Sequence, residues 1–331
     1  MTAPHPFAET LRAVGRGPTL SRPLSRDEAR AAMAMILDDA VAPVQLGAFL
    51  ALLRYRKETP DELAGFVDAA RARMPAPDGI VADLDWPSYA DRHKQLPYFL
   101  LAALLLAANG LRIAMHGVAG KGPVTSRAVL AALGIAPAAD MAAARAALDE
   151  AGFAYLPIET QCPPLQRLFE LRPLMGLRSP ANTFARDLNP ARAPHQLQGV
   201  FHPTYLDTHL ETARLLGQPR CLVLKGGGGE VQRNPEKPCR IAALRDGQAG
   251  ELDWPALMPK TRYRWRDDPL DPARVVALWR GEGDAPEPEG AVIATAALAL
   301  LLTGRADGPD AADAAAREMW ATRDRTRFPA S

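Results

Sequence analysis

Apolar residues recur at helical spacing through the first 75 residues of the chain. Ser25 and Glu28 form a capping-box pattern, in which a serine and a glutamate three residues later bond to free backbone N–H groups at the start of a helix. The apolar positions of residues 29–37 and 44–53 then repeat every three or four residues. Thr59 precedes a proline and predicts the start of a further helix. The pattern therefore predicts a helical bundle.

Beyond the turn-forming residues 75–79, short strand-like runs alternate with helical ones. The strand-like runs cover residues 111–115, 199–201 and 221–224. Residues 126–133 have a helical pattern. Because such alternation implies parallel strand pairing, we predict a helical domain over residues 1–75 and a larger α/β domain over residues 80–331, with a mostly parallel central sheet.

Two apolar runs, residues 96–108 and 291–302, could be mistaken for membrane spans. Both are shorter than the roughly 20 residues that a span needs, so we expect buried helices and no membrane association. The N-terminal residues lack a basic start followed by an apolar run, so we expect no signal peptide. The three cysteines have no CxxC spacing, which is typical of a reducing compartment, and we predict a cytoplasmic protein.

Charge is distributed unevenly along the chain, although the net charge of the 331 residues is only +1. Residues 171–266 hold 15 Lys and Arg against 8 Asp and Glu, whereas residues 267–331 hold 7 against 12. The overall balance argues against a uniformly basic protein that coats nucleic acid, but the basic middle segment can still form a local phosphate-binding surface.

A glycine-rich loop follows the last of these predicted strands. Lys225 precedes four consecutive glycines and Glu230 follows them. Glycine allows the backbone to come close to a ligand, and unshielded N–H groups can cradle an anion, so we predict a phosphate-binding loop. The alternative is a flexible turn. The spacing does not fit a Walker A loop.

A second loop, residues 116–122, follows the first predicted strand and leads into a helix. It carries Lys121, and Thr125 and Ser126 stand at the start of the helix. A helix N-terminus with hydroxyl groups suits a phosphate. Either hydroxyl residue could equally cap the helix, and one residue can do both.

Two further segments are rich in donors. Residues 177–194 carry polar side chains among apolar ones, which indicates either a lined cleft or a solvated face; the polar residues are Arg178, Asn182, Arg186, Asn189 and Arg192. Residues 260–266 alternate cations with aromatics, which suits phosphate contact and base stacking. The alternative is an exposed edge strand whose aromatic side chains pack inward. The six histidines show no spacing typical of a metal hydrolase.

Three segments together resemble the anthranilate phosphoribosyltransferase-like family, which has a nucleoside phosphorylase-like fold. They are His116-Gly117 with residues 122–135, residues 171–178, and residues 189–192 with 196–201. The resemblance covers nearly the whole chain. It implies a homodimer formed through the helical domain, an active cleft between the domains, and a further helical-domain segment near residues 162–181. It also matches Arg172 to the arginine associated with the carboxylate acceptor.

The chain departs from the family pattern at two loops. Active members hold a diphosphate with a GTGGD-type loop, and residues 84–94 correspond to that loop without its glycines. Active members also hold magnesium with an Asp-Glu pair, and Gly229-Glu230 stands at that place. Val118 replaces the asparagine that commonly follows the His-Gly pair.

Apolar positions such as Leu46, Phe49 and Leu53 exceed what so small a bundle can readily bury, which also predicts a dimer.

The pattern is similar to a divergent branch of the family, the YbiB-like proteins, which implies nucleic-acid binding without marked sequence preference. Our first hypothesis is therefore a homodimer that binds DNA, and possibly RNA, without a cofactor. The residues predicted to bind phosphate or nucleic acid are Arg92, Lys94, Lys225, Gly226, Gly227, Gly228, Gly229, Arg233 and Lys237.

A second hypothesis is an active glycosyl or phosphoribosyl transferase with an altered substrate, which would use Mg²⁺. The candidate residues of its cleft are His116, Gly117, Lys121, Thr125, Ser126, Arg172, Arg178, Asn189 and Glu230. A third hypothesis is a regulator that binds a small molecule.

Overall fold

The computed structural model describes residues 5–90 and 95–328 of the chain. The N-terminal part is helical, and its helices are α1 (Phe7–Gly15), α2 (Arg26–Leu37), α3 (Pro43–Arg56) and α4 (Pro60–Arg71). The Ser25 hydroxyl accepts the Glu28 N–H at the start of α2, and the Thr59 hydroxyl accepts the Glu62 N–H at the start of α4. Both predicted helix starts are confirmed.

Aromatic rings link the helical core to a later part of the chain. Phe49 packs against Phe7 with ring centroids 5.2 Å apart, and against Phe66 at 6.2 Å. Phe66 in turn packs against Phe184 at 5.6 Å. Phe184 belongs to a segment of four short helices, α8 (Ile158–Gln161), α9 (Pro163–Glu170), α10 (Arg172–Met175) and α11 (Ala181–Phe184). Residues of this segment therefore pack into the core of α1–α4.

The apolar positions that we expected at a dimer contact lie inside the bundle instead. Phe49 and Leu53 are completely buried within the chain, and Leu46 is partly buried against the same core. The added helices α8–α11 supply the missing apolar partners, which is why the first four helices need no second chain to cover these residues.

A seven-stranded sheet forms the centre of the rest of the molecule. Its strands are β1 (Leu84–Ser88), β2 (Ile113–Gly117), β3 (Phe153–Pro157), β4 (His195–Val200), β5 (Arg220–Lys225), β6 (Cys239–Arg245) and β7 (Gln248–Trp254). Their order across the sheet is β3-β2-β1-β4-β5-β6-β7. The first five strands run parallel, while β6 and β7 are antiparallel additions. The predicted α/β domain with a mostly parallel sheet is confirmed.

The strand predictions erred at the start and end of the sheet. We assigned Leu84–Ser88 to a loop, but it is the first strand, buried along its whole length. A parallel strand buried on both faces does not alternate apolar and polar residues. The buried Asp85 of this strand accepts a hydrogen bond at one carboxylate oxygen from the side-chain amide of Gln196, over 2.7 Å. The strand predicted at residues 221–224 is followed by β6 and β7.

Helices cover both faces of the sheet. They are α5 (Phe99–Ala108), α6 (Ser126–Ala132), α7 (Met141–Ala151), α12 (Leu206–Leu215), α13 (Ala273–Arg280), α14 (Pro286–Leu302) and α15 (Pro309–Thr322). The two apolar runs form α5 and most of α14, which are buried almost all round in one core, as predicted. Among the described residues, no helix has both the length and the apolar character needed to cross a membrane.

The basic-aromatic segment 260–266 forms no strand. Its aromatic side chains nevertheless turn inward, since Trp265 packs against Tyr98 with centroids 6.3 Å apart and against Tyr263 at 5.0 Å. The arginines of the segment remain exposed. The aromatic rings are thus used for packing and are not presented for base stacking.

Candidate active site

The loops after β1, β2 and β5 meet at the carboxyl edge of the parallel strands, where α/β folds commonly bind ligands. The backbone N–H of Ala90 donates to the Glu230 carboxylate over 2.7 Å, which joins the β1 loop to the glycine-rich loop. The hydroxyl oxygens of Ser88 and Ser126 lie 2.8 Å apart, which joins β1 to the start of α6. Between them is a cavity of about 30 Å³.

His116 lies in this region but faces the protein interior. Its Nδ1 is 2.9 Å from the Tyr89 hydroxyl, and its Nε2 is 3.3 Å from the Asp85 carboxylate. Both ring nitrogens thus have a hydrogen-bond partner. If the Tyr89 hydroxyl donates to Nδ1, the ring is the tautomer that carries its hydrogen on Nε2. Tyr89 also stacks on Phe169 of α9, with ring centroids 5.6 Å apart. His116 therefore positions Tyr89 at the contact between the two domains.

Close packing between β1 and β2 requires a glycine at position 117. A Cβ atom at this position would lie 2.5 Å from the Ser88 carbonyl oxygen and 2.9 Å from the Tyr155 hydroxyl. Any other residue would push β1 and β2 apart at their carboxyl ends. The glycine of the His-Gly pair thus allows the two loops to approach each other.

The Glu230 carboxyl group is withdrawn from solvent even though part of the residue remains accessible from the cleft. Burial raises the pKa of Glu230 to about 7, against the opposing effects of the Arg186 charge and of the hydrogen bond from Ala90. A carboxyl group of this kind can hold or release a proton near neutral pH.

The glycine-rich loop folds back on itself. The N–H groups of Gly226, Gly227, Gly229 and Glu230 donate to carbonyl oxygens of Val200, Gln232, Gly226 and Gly227, respectively. A Cβ atom on Gly226 would lie 1.6 Å from the Glu230 carbonyl oxygen. The glycines thus serve the close packing of this turn, and these four N–H groups are not directed at an anion. Lys225 is exposed at the end of β5.

A larger cleft, of about 570 Å³, separates the helical region from the sheet. The loop after β2 forms one wall with Val118 and Lys121, and helices α9 and α10 form the other with Phe169 and Arg172. Lys121 and Arg172 are both exposed at its surface. The volume lies within the range of about 300–1,000 Å³ typical of small-molecule sites.

The remaining cleft candidates have different surroundings. The Thr125 hydroxyl accepts the Ala128 N–H over 3.1 Å and so caps α6. Arg178 donates to the Ala90 carbonyl, which brings it to the β1 loop. Asn189 does not reach the cleft, because it is buried and its side chain bonds to both the N–H and the carbonyl of Ala193 at 2.8 Å.

The cations that we predicted to bind nucleic acid do not form one surface. Arg233 is completely buried: its Nη1 lies 3.3 Å from an Asp313 oxygen, and its guanidinium lies 4.8 Å from the ring centroid of Trp254. Its backbone N–H donates to the Thr295 hydroxyl of α14 over 3.0 Å, which holds this part of the chain against that helix. Lys237 is exposed. Arg92 and Lys94 lie outside the described residues.

Sequence reasoning missed two residues at the centre of the region. Ser88 and Tyr89 were assigned to a degenerate loop, yet they contact Ser126 and His116. Their pairing depends on the register of β1 against β2, which places Ser88 beside Gly117. A local pattern could not reveal it, because the contacts join segments that are distant in sequence.

Two family models match the chain. One describes a helical bundle domain of the glycosyl transferase family and matches residues 8–74. The other describes the a/b domain of that family and matches residues 98–322.

Curated relatives match along most of their length. The chain is 29% identical to the uncharacterized protein YbiB of Escherichia coli, over 91% of this chain and 95% of that protein. It is 31% identical to the anthranilate phosphoribosyltransferase of Methylocella silvestris, over 86% of this chain and 83% of that enzyme.

Solved structures share the fold. The anthranilate phosphoribosyltransferase of Thermus thermophilus superposes with a TM-score of 0.75 at 25% identity, covering 91% of this chain and 92% of that chain. The enzyme of Saccharomyces cerevisiae in complex with PRPP and Mg superposes with a TM-score of 0.70 at 14% identity, covering 92% of each chain.

These comparisons contradict our first hypothesis. The relatives with a named activity are anthranilate phosphoribosyltransferases, and nothing among them indicates nucleic-acid binding as the main function. In addition, Arg233, one of the predicted contacts, is buried, and Trp265 packs inward instead of presenting its ring for base stacking. The transferase alternative is better supported. With its helical bundle and its α/β domain both matched, the chain belongs to the glycosyl transferase family.

Proposed function

We propose that this chain is an active glycosyl or phosphoribosyl transferase whose substrate differs from that of the anthranilate enzymes. The observation that carries the proposal is the cleft of about 570 Å³ between the domains, with Lys121 on one wall and Arg172 on the other. It opens at the carboxyl end of β2, beside the loops that meet at Glu230. The 31% identity to a phosphoribosyltransferase over most of both chains supports transfer chemistry.

The cleft favours a small acceptor that is partly apolar and negatively charged. Val118, Phe169 and Pro173 give its walls an apolar part, while Lys121 and Arg172 supply two positive charges against the single carboxylate of Glu170. Such a combination binds a ring with an acidic substituent, because the ring displaces water from apolar walls and the cations pair with the anion. Phe169 is held in place by its stacking on Tyr89.

The donor site differs from the family pattern. The region after β1 lacks the glycines of the diphosphate loop, and the N–H groups of the glycine-rich loop are used inside the turn. The cavity lined by Ser88, Thr125 and Ser126 is small, about 30 Å³. We infer that the donor's phosphates contact side-chain hydroxyls and cations at the mouth of the cleft.

Magnesium belongs to this proposal. The yeast enzyme to which the chain is similar in fold holds Mg with PRPP, which favours the Mg²⁺ alternative over our main expectation of no cofactor. Glu230 is the carboxylate available here, and no group of three potential ligand residues occurs within the described residues. A magnesium ion often binds through one or two carboxylates plus substrate phosphates. When bound, it would neutralise charge on the leaving phosphate group.

The chain's own residues would bind and orient the acceptor and the donor. Lys121 and Arg172 would hold the acceptor, Tyr89 and Phe169 would exclude water beside it, and His116 would hold Tyr89. Glu230, with a pKa of about 7, would hold or release a proton at the edge of the donor site.

A homodimer is also proposed, through the exposed face of α3. Val44 and Tyr55 are 79% and 92% exposed, and Ala48 and Ala51 lie on the same face of that helix. Spacings of four, three and four residues place these four side chains in one stripe. An exposed apolar stripe of this kind is typical of an interaction surface.

A cytoplasmic location is the third part of the proposal. Cys162, Cys221 and Cys239 are free and buried, which suits a reducing compartment. Fractionation of the source cells would test it, and recovery outside the cytoplasm would contradict it.

Acceptor kinetics test the proposed cleft. Once a turned-over acceptor is known, Lys121→Ala and Arg172→Ala should each raise KM for the acceptor by tenfold or more, since a charged hydrogen bond contributes about 1.5–3 kcal/mol. Lys237→Ala, an exposed cation outside the cleft, is the matched control. Equal KM values in all three variants would place the acceptor elsewhere.

A further inference from the structure

A second cavity, of about 60 Å³, lies between α3, the segment 178–186, the end of β4 and helix α12. Its polar lining consists almost wholly of donors, and no carboxylate lines it. The donors are Arg54, Arg178, Asn182, Thr183, Arg186, His202, Tyr205 and His209. Asn182 is the residue that this cavity shares with the interdomain cleft.

Arg186 is the buried cation of this cavity. The residue is 8% exposed, its Nε donates to the Gly199 carbonyl over 3.0 Å, and another of its nitrogens donates to the Asn182 carbonyl. Within residues 5–90 and 95–328 it forms no ion pair closer than 4.0 Å. Buried charges are normally paired, because an uncompensated charge in the interior is costly.

The other donors add to this charge. Arg54 reaches the Tyr205 hydroxyl over 3.4 Å, and in the described part of the chain it has no carboxylate partner. His209 is buried and its Nδ1 lies 2.9 Å from an Asp187 oxygen, so its Nε2 is left for the cavity side. His202 is exposed at the mouth.

Three acidic groups, Asp187, Glu58 and Glu230, lie near the cavity, and none of them lines it. Asp187 is bonded to His209 and to Gln198, whose amide donates to it over 2.7 Å. Glu58 is buried, and burial raises the pKa of its carboxyl. The polar groups that line the cavity are therefore donors, while the nearby carboxylates lie outside its lining.

We propose that this cavity is a binding site for the oxyanion group of a small ligand, a phosphate or a carboxylate. The cavity is small, about 60 Å³, and its donors surround a space that suits a single oxyanion group. Guanidinium groups bind these planar or tetrahedral oxyanions through charged hydrogen bonds. The proposal does not rest on the transferase proposal, because apart from Asn182 it uses other residues.

Calorimetric titration of the full chain with inorganic phosphate, and separately with acetate, tests the site at constant ionic strength. We expect saturable binding of at least one anion, with one site per chain, and the arm that binds identifies the chemistry. Arg54→Gln should weaken it by about tenfold or more, since a hydrogen bond to a charged group contributes about 1.5–3 kcal/mol.

Arg214→Gln is the matched control, because it removes the same charge from an exposed residue paired with Glu211 on α12. It should leave the affinity unchanged. If Arg54→Gln fails to fold, His202→Gln at the exposed mouth takes its place with the same expectation. Absence of binding by either anion, or equal weakening in the test and control variants, would overturn the proposal.

Discussion

The backbone N–H of Ala90 donates to the Glu230 carboxylate over 2.7 Å, and this bond ties the first strand of the sheet to the glycine-rich loop of the fifth. The two residues are 140 positions apart in sequence. Their contact is what closes the region around Ser88 and Ser126. It also fixes the one carboxylate that stands where the family usually has two.

Glu230 should make the stability of the protein depend on pH. Its pKa is raised from 4.5 to about 7, so between these values the unfolded state loses the proton while the folded state keeps it. Stability should therefore fall as pH rises from about 4.5 to 7, by on the order of 2 kcal/mol from this group. Glu230→Gln should lack this contribution, because an amide does not titrate in this pH range. Its side-chain oxygen can still accept the Ala90 N–H, so the contact between the two loops is kept.

Urea denaturation of the parent protein and of Glu230→Gln at pH 5 and pH 8 measures the difference. The variant should gain stability relative to the parent at the higher pH. An equal response of both proteins to pH would show that Glu230 titrates at its ordinary value.

Arg233 should behave as a structural residue. Arg233→Met leaves Asp313 without its cation and Trp254 without its stacked guanidinium, so we expect a loss of about 3 kcal/mol in the free energy of unfolding. The exposed Lys237 offers a control, since Lys237→Met should change stability by no more than about 0.5 kcal/mol. Similar stabilities of the two variants would place Arg233 at the surface.

Gly226 should tolerate no side chain. Gly226→Ala places a Cβ atom 1.6 Å from the Glu230 carbonyl oxygen, so the turn must open, at a cost of about 3 kcal/mol or more. Gly250 on β7 has no heavy atom within 4 Å of a built Cβ, and Gly250→Ala should be neutral within about 0.5 kcal/mol. Thermal unfolding of both variants measures these changes in stability. A fully stable Gly226→Ala protein would mean that the loop is held differently.

The α3 stripe should control assembly. The parent protein is expected to be a dimer by light scattering at micromolar concentration, and the double variant Val44→Lys, Tyr55→Lys should be a folded monomer, because charges would then face each other across the contact. Val81→Lys, at a residue 58% exposed outside this helix, should remain dimeric. A monomeric parent protein would contradict the proposed assembly.

Local signals in the sequence predicted the features that depend on neighbouring residues. The Ser25 and Thr59 caps fixed two helix starts, and the run at residues 96–108 contains the buried helix α5. Strand β1 escaped prediction because Asp85 and Pro87 interrupt its apolar character, and its stability comes from β2 and β4 on either side.

The candidate site was predictable only in part. The residues that carry the resemblance, such as His116 and Glu230, do lie near the carboxyl edge of the sheet. Their roles follow from partners that are distant in sequence: Tyr89 and Asp85 turn His116 inward, and Asp313 accounts for the burial of Arg233. Charge counts along the chain could not distinguish a buried arginine from an exposed one.

Acceptor-dependent turnover tests the central claim most directly. The purified protein would be incubated with Mg²⁺ and PRPP together with a panel of acidic ring compounds that includes anthranilate, and pyrophosphate release would be followed. A parallel arm would offer nucleosides with phosphate and follow release of the free base. The account predicts turnover of at least one donor and acceptor pair other than PRPP with anthranilate, above the no-enzyme control, with loss of activity in Lys121→Ala. No turnover in any arm, by a folded protein that also fails to bind PRPP, would contradict it.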